Sequence, residues 1–150
     1  MSIQKQGAKE HKVATKEEHR KQYRAITRIL IIDDESDITL AFKKSLRDKG
    51  FEQVETVSDP ILALKHFKAG SYDLLIIDIV MPEMDGFSLY EEIRKIDNKV
   101  NVCFITAFEV NYQALRAVFP AASTTDDIGC FIRKPVDIDD LAKRIKAEVQ

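Results

Sequence analysis

Asp33 and Asp34 follow the apolar run Ile29-Leu30-Ile31-Ile32, and Asp78 follows Leu74-Leu75-Ile76-Ile77. Thr106 closes the stretch 101–105, and Lys134 follows 130–133. Three carboxylates gathered in a small space repel one another, and one of them tends to take up a proton. A hard divalent cation removes that conflict, and Mg²⁺ favours a few carboxylates together with waters and phosphate oxygens. Lys134 adds a second positive charge, and Thr106 a hydroxyl donor. Metal, ammonium and hydroxyl around one carboxylate suit a phosphoryl group held on that carboxylate. Asp78 is then the nucleophile, and the product is an aspartyl phosphate. Taken singly, each residue has a plainer reading. Asp33, Asp34 and Asp37 could cap a helix and favour its dipole, Asp78 could cap the next turn, and Thr106 could be a strand-end hydroxyl without a role. Their arrival together, at the ends of four of the five strands, favours a shared site.

Such a site needs a scaffold that brings those ends to one edge. An apolar run bounded by turn signals reads as a strand buried on both faces, as in a parallel sheet. Strands are expected at 26–32, 53–57, 74–78, 101–105 and 130–133, the second of them more polar and at a sheet edge. Helices are expected between them. The first carries Ile38, Ala41, Phe42 and Leu46 and stops at Gly50. The second starts at Asp59-Pro60, a cap followed by proline. The third spans 87–96, the fourth spans 111–119 and ends at Pro120, and the last runs over 136–149 with Ile138, Leu141, Ala142, Ile145 and Val149 on one stripe. Five β-α units in strict alternation define an α/β fold, a five-stranded parallel sheet with right-handed crossovers and helices on both faces. Open sheets of this kind place ligands beyond the C-terminal ends of their strands, where Asp78 stands.

Composition excludes several classes. Of the 150 residues, 45% are hydrophobic and 32% charged, as in a globular protein. No apolar run approaches the roughly 20 residues of a membrane span, and no signal-peptide core opens the chain, so the expected location is cytoplasmic with no membrane partner. Cys103 and Cys130 lie in apolar segments without metal-ligand spacing and read as free buried thiols, in keeping with a reducing compartment. The net charge of −2 conceals an asymmetry, because residues 1–28 hold eight Lys/Arg against three Asp/Glu. This basic arm could meet nucleic acid, an anionic surface or the acidic remainder of the chain, and the preferred reading is a solvated tail. Thr15-Lys16-Glu17-Glu18 has the form of a capping box that starts a short helix through about Arg24, while residues 1–14 show no apolar pattern and are expected to be disordered.

With Asp33-Asp34, Asp78, Met81-Pro82-Glu83-Met84-Asp85-Gly86, Thr106-Ala107 and Lys134-Pro135 in this order, the chain resembles a response-regulator receiver domain of two-component signalling, over about residues 28–150. The resemblance implies a flavodoxin-like (βα)5 fold with strand order 2-1-3-4-5, preceded by an N-terminal extension, 1–27. It implies that Asp34 binds Mg²⁺ directly, that Asp33 acts mainly through water, and that Asp78 is both ligand and phosphoacceptor. The backbone carbonyl of Val80 would be a further ligand. Lys134 would pair with the phosphoryl group, and Thr106 would move to hydrogen-bond it while Phe131 swings inward. A cis peptide before Pro135 is also implied, an isomer that costs little only before proline. Phe131 has a plain alternative as core packing, and Met81 and Met84 read as loop packing. His11, His19 and His66 lie outside the constellation, so the phosphoryl donor comes from elsewhere.

Two departures from the commonest pattern bear on mechanism. Val80 and Phe108 stand two residues after Asp78 and Thr106, where apolar groups cannot orient an attacking water, and slow self-dephosphorylation is expected. The span from Thr106 to Lys134 is several residues longer than is usual in the family, and the surplus, 120–128, is read as either a reshaped output surface or an inert loop. The chain ends with its last helix, so a stand-alone receiver is expected. It would be fed by a histidine kinase or phosphotransfer protein and read by an unknown downstream protein, with homodimerisation left open and nucleic acid disfavoured. Its chemistry is self-directed, so it is not classed as an enzyme. The alternatives are an aspartate-nucleophile phosphatase, which would carry a second Asp where Val80 stands, and a receiver-like binding module that acts unphosphorylated.

Overall fold

The computed structural model describes residues 13–107 and 130–149. Five parallel strands, β1 (Arg28–Ile32), β2 (Gln53–Val57), β3 (Leu74–Asp78), β4 (Asn101–Thr106) and β5 (Phe131–Arg133), form one sheet in the order β2-β1-β3-β4-β5. The described helices are α1 (Lys16–Ile26), α2 (Ser36–Asp48), α3 (Pro60–His66), α4 (Gly86–Ile96) and α5 (Ile138–Val149). The expected helix at 111–119, Phe108, the surplus 120–128 and most of the stretch expected to be disordered lie outside the described residues.

The unbroken apolar runs are explained by two cores, one on each face. Side chains alternate across a strand. Leu30, Ile32, Leu75, Ile77 and Phe104 therefore enter one cluster with Phe87, Leu89, Tyr90 and Ile93 of α4. Ile29, Ile31, Leu74, Ile76 and Ile105 enter the other with Leu46 of α2 and Leu141 and Ile145 of α5. β2 borders β1 alone and buries only Val54 fully, which is why its sequence is more polar.

Local signals set the helix ends. Thr15 and Glu18 close the expected capping box, with Thr15 N–H donating to Glu18 Oε2 at 2.8 Å and Glu18 N–H to Thr15 Oγ1 at 3.1 Å. Gly50, at φ 99°, ends α2 in a Schellman motif: its N–H donates to the Arg47 carbonyl, and Phe51 N–H donates to that of Leu46. Asp59 caps α3 ahead of Pro60, and Asp85 caps α4 through Ser88 N–H at 2.9 Å.

The cysteines correct the sequence reading. Cys103 and Cys130 are joined by a disulfide, not free, with Cα atoms 4.6 Å apart. Phe104 pairs with Phe131 in the β4–β5 register, so the residue before each faces the other across the strand pair. Spacing along the chain carries no trace of that register, and the thiols give no support to a reducing compartment. No described helix is long and apolar enough to cross a membrane.

Candidate functional site

Parallel pairing brings the ends of β1, β3, β4 and β5 to one edge. Asp78 is the last residue of β3 and pairs with Ile105, one residue before Thr106, which in turn pairs with Arg133, one residue before Lys134. Asp33 directly follows β1 and is tied to the neighbouring strand by its N–H, which donates to the Val57 carbonyl at 3.2 Å. Lys134 N–H donates to the Thr106 carbonyl at 2.8 Å, and the Lys134-Pro135 peptide is cis, as expected.

The Lys134 side chain gathers the carboxylates. Its Nζ lies 3.0 Å from Asp33 Oδ2, 3.3 Å from Asp78 Oδ2 and 3.6 Å from Glu35 Oε1. Asp33 and Thr106 are fully buried, and Asp78 nearly so. Burial, then the neighbouring Asp33 charge, pushes the Asp78 carboxyl from an ordinary 3.8 up to about 7, against the pull of Lys134. Burial works against the Lys134 charge, yet the Asp33 and Asp78 carboxylates hold its ammonium above the usual lysine value.

The donor set fits a hard cation. Asp33 Oδ1 accepts from Glu35 N–H at 3.0 Å, and its enclosed Oδ2 lies 3.0 Å from the ammonium of Lys134. Asp33, Asp34 and Glu35 each present a carboxylate oxygen within 4.8 Å of the others. These are oxygen ligands of the kind Mg²⁺ takes. The arrangement brings together Asp33, Asp78 and Lys134, with Thr106 at the next strand end. Asp34 is exposed and stands in the acidic group without touching Lys134. Glu35 went unassigned in the sequence reading, although its place two residues after Asp33 lets its backbone and its carboxylate both turn inward.

The β3–α4 loop shapes the rim. Val80 N–H donates to Asp78 Oδ1 at 3.3 Å, and the Val80 side chain is 45% exposed beside it. Met84 N–H donates to the Pro82 carbonyl at 2.8 Å around Glu83, whose φ of 71° makes a strained γ-turn. Gly86 lets α4 start hard against the acid-bearing strand, since a Cβ there would lie 2.4 Å from the Asp78 carbonyl oxygen. Phe131 is half-buried, its ring 5.6 Å from Phe104 and 6.4 Å from Phe87.

A doubly wound parallel sheet with buried acids and a lysine at the strand ends defines an α/β protein whose ligand edge lies at those strand ends. The chain belongs to the response regulator receiver domain family, which matches residues 29–146. It is 32% identical over 118 residues to the chemotaxis protein CheY of Bacillus subtilis, covering 79% of this chain and 93% of that one. It is 33% identical over 120 residues to the transcriptional regulatory protein PrrA of Mycobacterium leprae, covering 80% of this chain and 48% of that one. The chain thus spans about half the length of the first curated relatives it matches. Among solved structures, the response regulator TrrA of Thermotoga maritima in complex with Mg²⁺-BeF is 30% identical at a TM-score of 0.67, covering 81% of this chain and 98% of that one. The CheY-like receiver domain protein of Methanospirillum hungatei is 25% identical at a TM-score of 0.65, covering 81% and 91%. Receiver domains act as phosphorylation-controlled switches, and neither a phosphatase nor an unphosphorylated binding module is favoured for this chain.

Proposed function

We propose that Asp78 accepts a phosphoryl group from a histidine kinase or phosphotransfer protein, and that the change at the site is read by a downstream protein. The reading divides the chain into an arm, 1–27, and a receiver domain, 28–150. The observation that carries it is the bridge from Lys134 to the buried carboxylates of Asp33 and Asp78. Asp33, Asp34 and Asp78, with the backbone carbonyl of Val80, are the groups that would hold Mg²⁺. A bound dication would offset the repulsion between those carboxylates and the oxygens of an incoming phosphoryl group.

One Asp78 carboxylate oxygen forms a bond to phosphorus as the bond from phosphorus to the donor's histidine nitrogen breaks. Lys134 leaves its place between the carboxylates far enough to pair with the transferred group. Thr106 donates its hydroxyl to a phosphoryl oxygen, and Phe131 packs further inward behind it. Chemistry is thus confined to the chain's own carboxylate, without turnover of an external substrate, and a cytoplasmic setting suits such a partner. The test is incubation with acetyl phosphate and Mg²⁺, followed by intact mass measurement. One added phosphoryl group is expected, absent in Asp78→Asn; an unmodified parent chain under these conditions would refute the reading.

A further inference from the structure

The basic arm is only partly a tail. Arg20 and Arg24 of α1 line a cavity of about 150 Å³ with Lys49 and Phe51 beyond α2, and with Lys143 and Lys146 of α5. Helices here run antiparallel to the strands, so the end of α2 and the later turns of α5 lie at the N-terminal edge of the sheet, opposite Asp78. Arg20 and Arg24 also precede residue 29, where the family match begins. Two of this cavity's five cationic side chains therefore come from outside the receiver fold.

Five cations from three separate stretches of sequence converge here. Two carboxylates oppose them: Glu17 stands 3.7 Å from both Arg20 and Arg24, and Asp139 pairs with Lys49. Lys143 and Lys146 make no ion pair among the described residues. Arg24 is held in position and not merely tethered. Its Nε is enclosed and has no hydrogen-bond partner among the described residues. It lies against Gly50, where any Cβ would come within 3.1 Å of that nitrogen. The glycine that ends α2 thus also clears the seat for the guanidinium.

Guanidinium forks and ammonium groups together are the donor set that recognises phosphate oxygens, and the Phe51 ring lends part of the wall low polarity, which strengthens such contacts. The cavity is small, about 150 Å³. That suits one phosphoryl group with a second at the mouth, and it is too small for a folded partner. We propose that this cavity binds a small phosphoryl-bearing anion, held by Arg20 and Arg24 from one side and by Lys143 and Lys146 from the other. A soluble polyphosphate and a lipid phosphate headgroup present the same chemistry.

The test is calorimetric titration of the full chain with inorganic pyrophosphate in Mg²⁺-free, low-salt buffer, where the acidic site repels anions. A single saturable site is expected. Arg24→Gln and Lys146→Gln should each weaken it about tenfold, the effect of losing one charge-assisted contact. Lys95→Gln, on α4 and paired with Glu92, should leave it unchanged. Unaltered melting temperatures in the free variants would tie the loss to binding and not to folding, with Lys143→Gln as the substitute if Arg24→Gln melts early. A parallel arm uses phosphatidylcholine vesicles with and without phosphatidic acid. Capture that needs phosphatidic acid and is lost in the same variants assigns the site to a headgroup, and pyrophosphate binding without capture assigns it to a soluble ligand. Absence of saturable binding in both arms, or binding indifferent to Arg24 and Lys146, would overturn the proposal.

Discussion

The ammonium of Lys134 lies 3.3 Å from Asp78 Oδ2 although their strands are not neighbours, because β4 runs between β3 and β5. The side chain crosses a whole strand to reach the acid, and its ammonium also meets Asp33 at the end of β1, on the far side of β3, so one cation serves two buried carboxylates. Removing it leaves both without a counter-charge among the described residues. Lys134→Met should lower metal-free stability by about 3 kcal/mol, the scale for breaking a buried pair from one side. Urea denaturation at pH 8 measures this, and Mg²⁺ should restore part of the loss. Coincident curves for parent and variant would contradict the bridge.

The raised Asp78 carboxyl makes metal-free stability depend on pH in an unusual direction. Its folded pKa of about 7 exceeds the ordinary 3.8. Between those values the folded state binds more protons than the unfolded one, and stability falls as pH rises. Its contribution is full below about 4 and gone above about 7, and Asp78→Asn should flatten the slope. The same proton competes with a dication, so the gain in melting temperature on adding Mg²⁺ should be larger at pH 8 than at pH 6. Equal gains at both would count against Asp78 as a ligand.

Val80 presents an exposed apolar side chain beside the acid, and such a group cannot orient a water for attack on a phosphoryl group. The phosphorylated chain should therefore lose its group slowly, and Val80→Asn should shorten the lifetime several-fold. Decay followed by intact mass after removal of acetyl phosphate gives the answer; loss within seconds in the parent would contradict it.

The capping box of α1 is worth about 1 kcal/mol by the usual measure of an N-cap. In Thr15→Ala the α1 amides should exchange about fivefold faster while those of β3 are unchanged, since local opening is separable from global unfolding. Hydrogen exchange read by mass spectrometry distinguishes the two elements.

Most of the sheet was legible because its inner strands bury both faces. A run such as Leu74-Leu75-Ile76-Ile77 has few alternatives, and β2, with one neighbour, announced its edge by its polarity. The helix ends were legible where one residue decides them, as at Gly50, Thr15 and Asp59. The meeting of Asp33, Asp78, Thr106 and Lys134 at one edge was legible because a parallel sheet brings strand ends together. Glu35 was missed because its role depends on how the chain turns after Asp33, which no periodicity reports. The disulfide was missed for a related reason: Cys103 and Cys130 meet only in the β4–β5 register. The cavity under α1 was hidden because charge counted along an arm does not say which side chains converge when it folds back.

Gly86 touches no substrate in any reading of this molecule, yet a methyl group at that position would collide with the peptide of Asp78. In a saturation library scored by phosphorylation, positions 78 and 86 should therefore be similarly intolerant, one for its carboxylate and the other for its emptiness. Scoring the same library by folding would separate them: asparagine at 78 should survive, and alanine at 86 should not. The proposed chemistry would then depend on position 86 through the absence of a side chain.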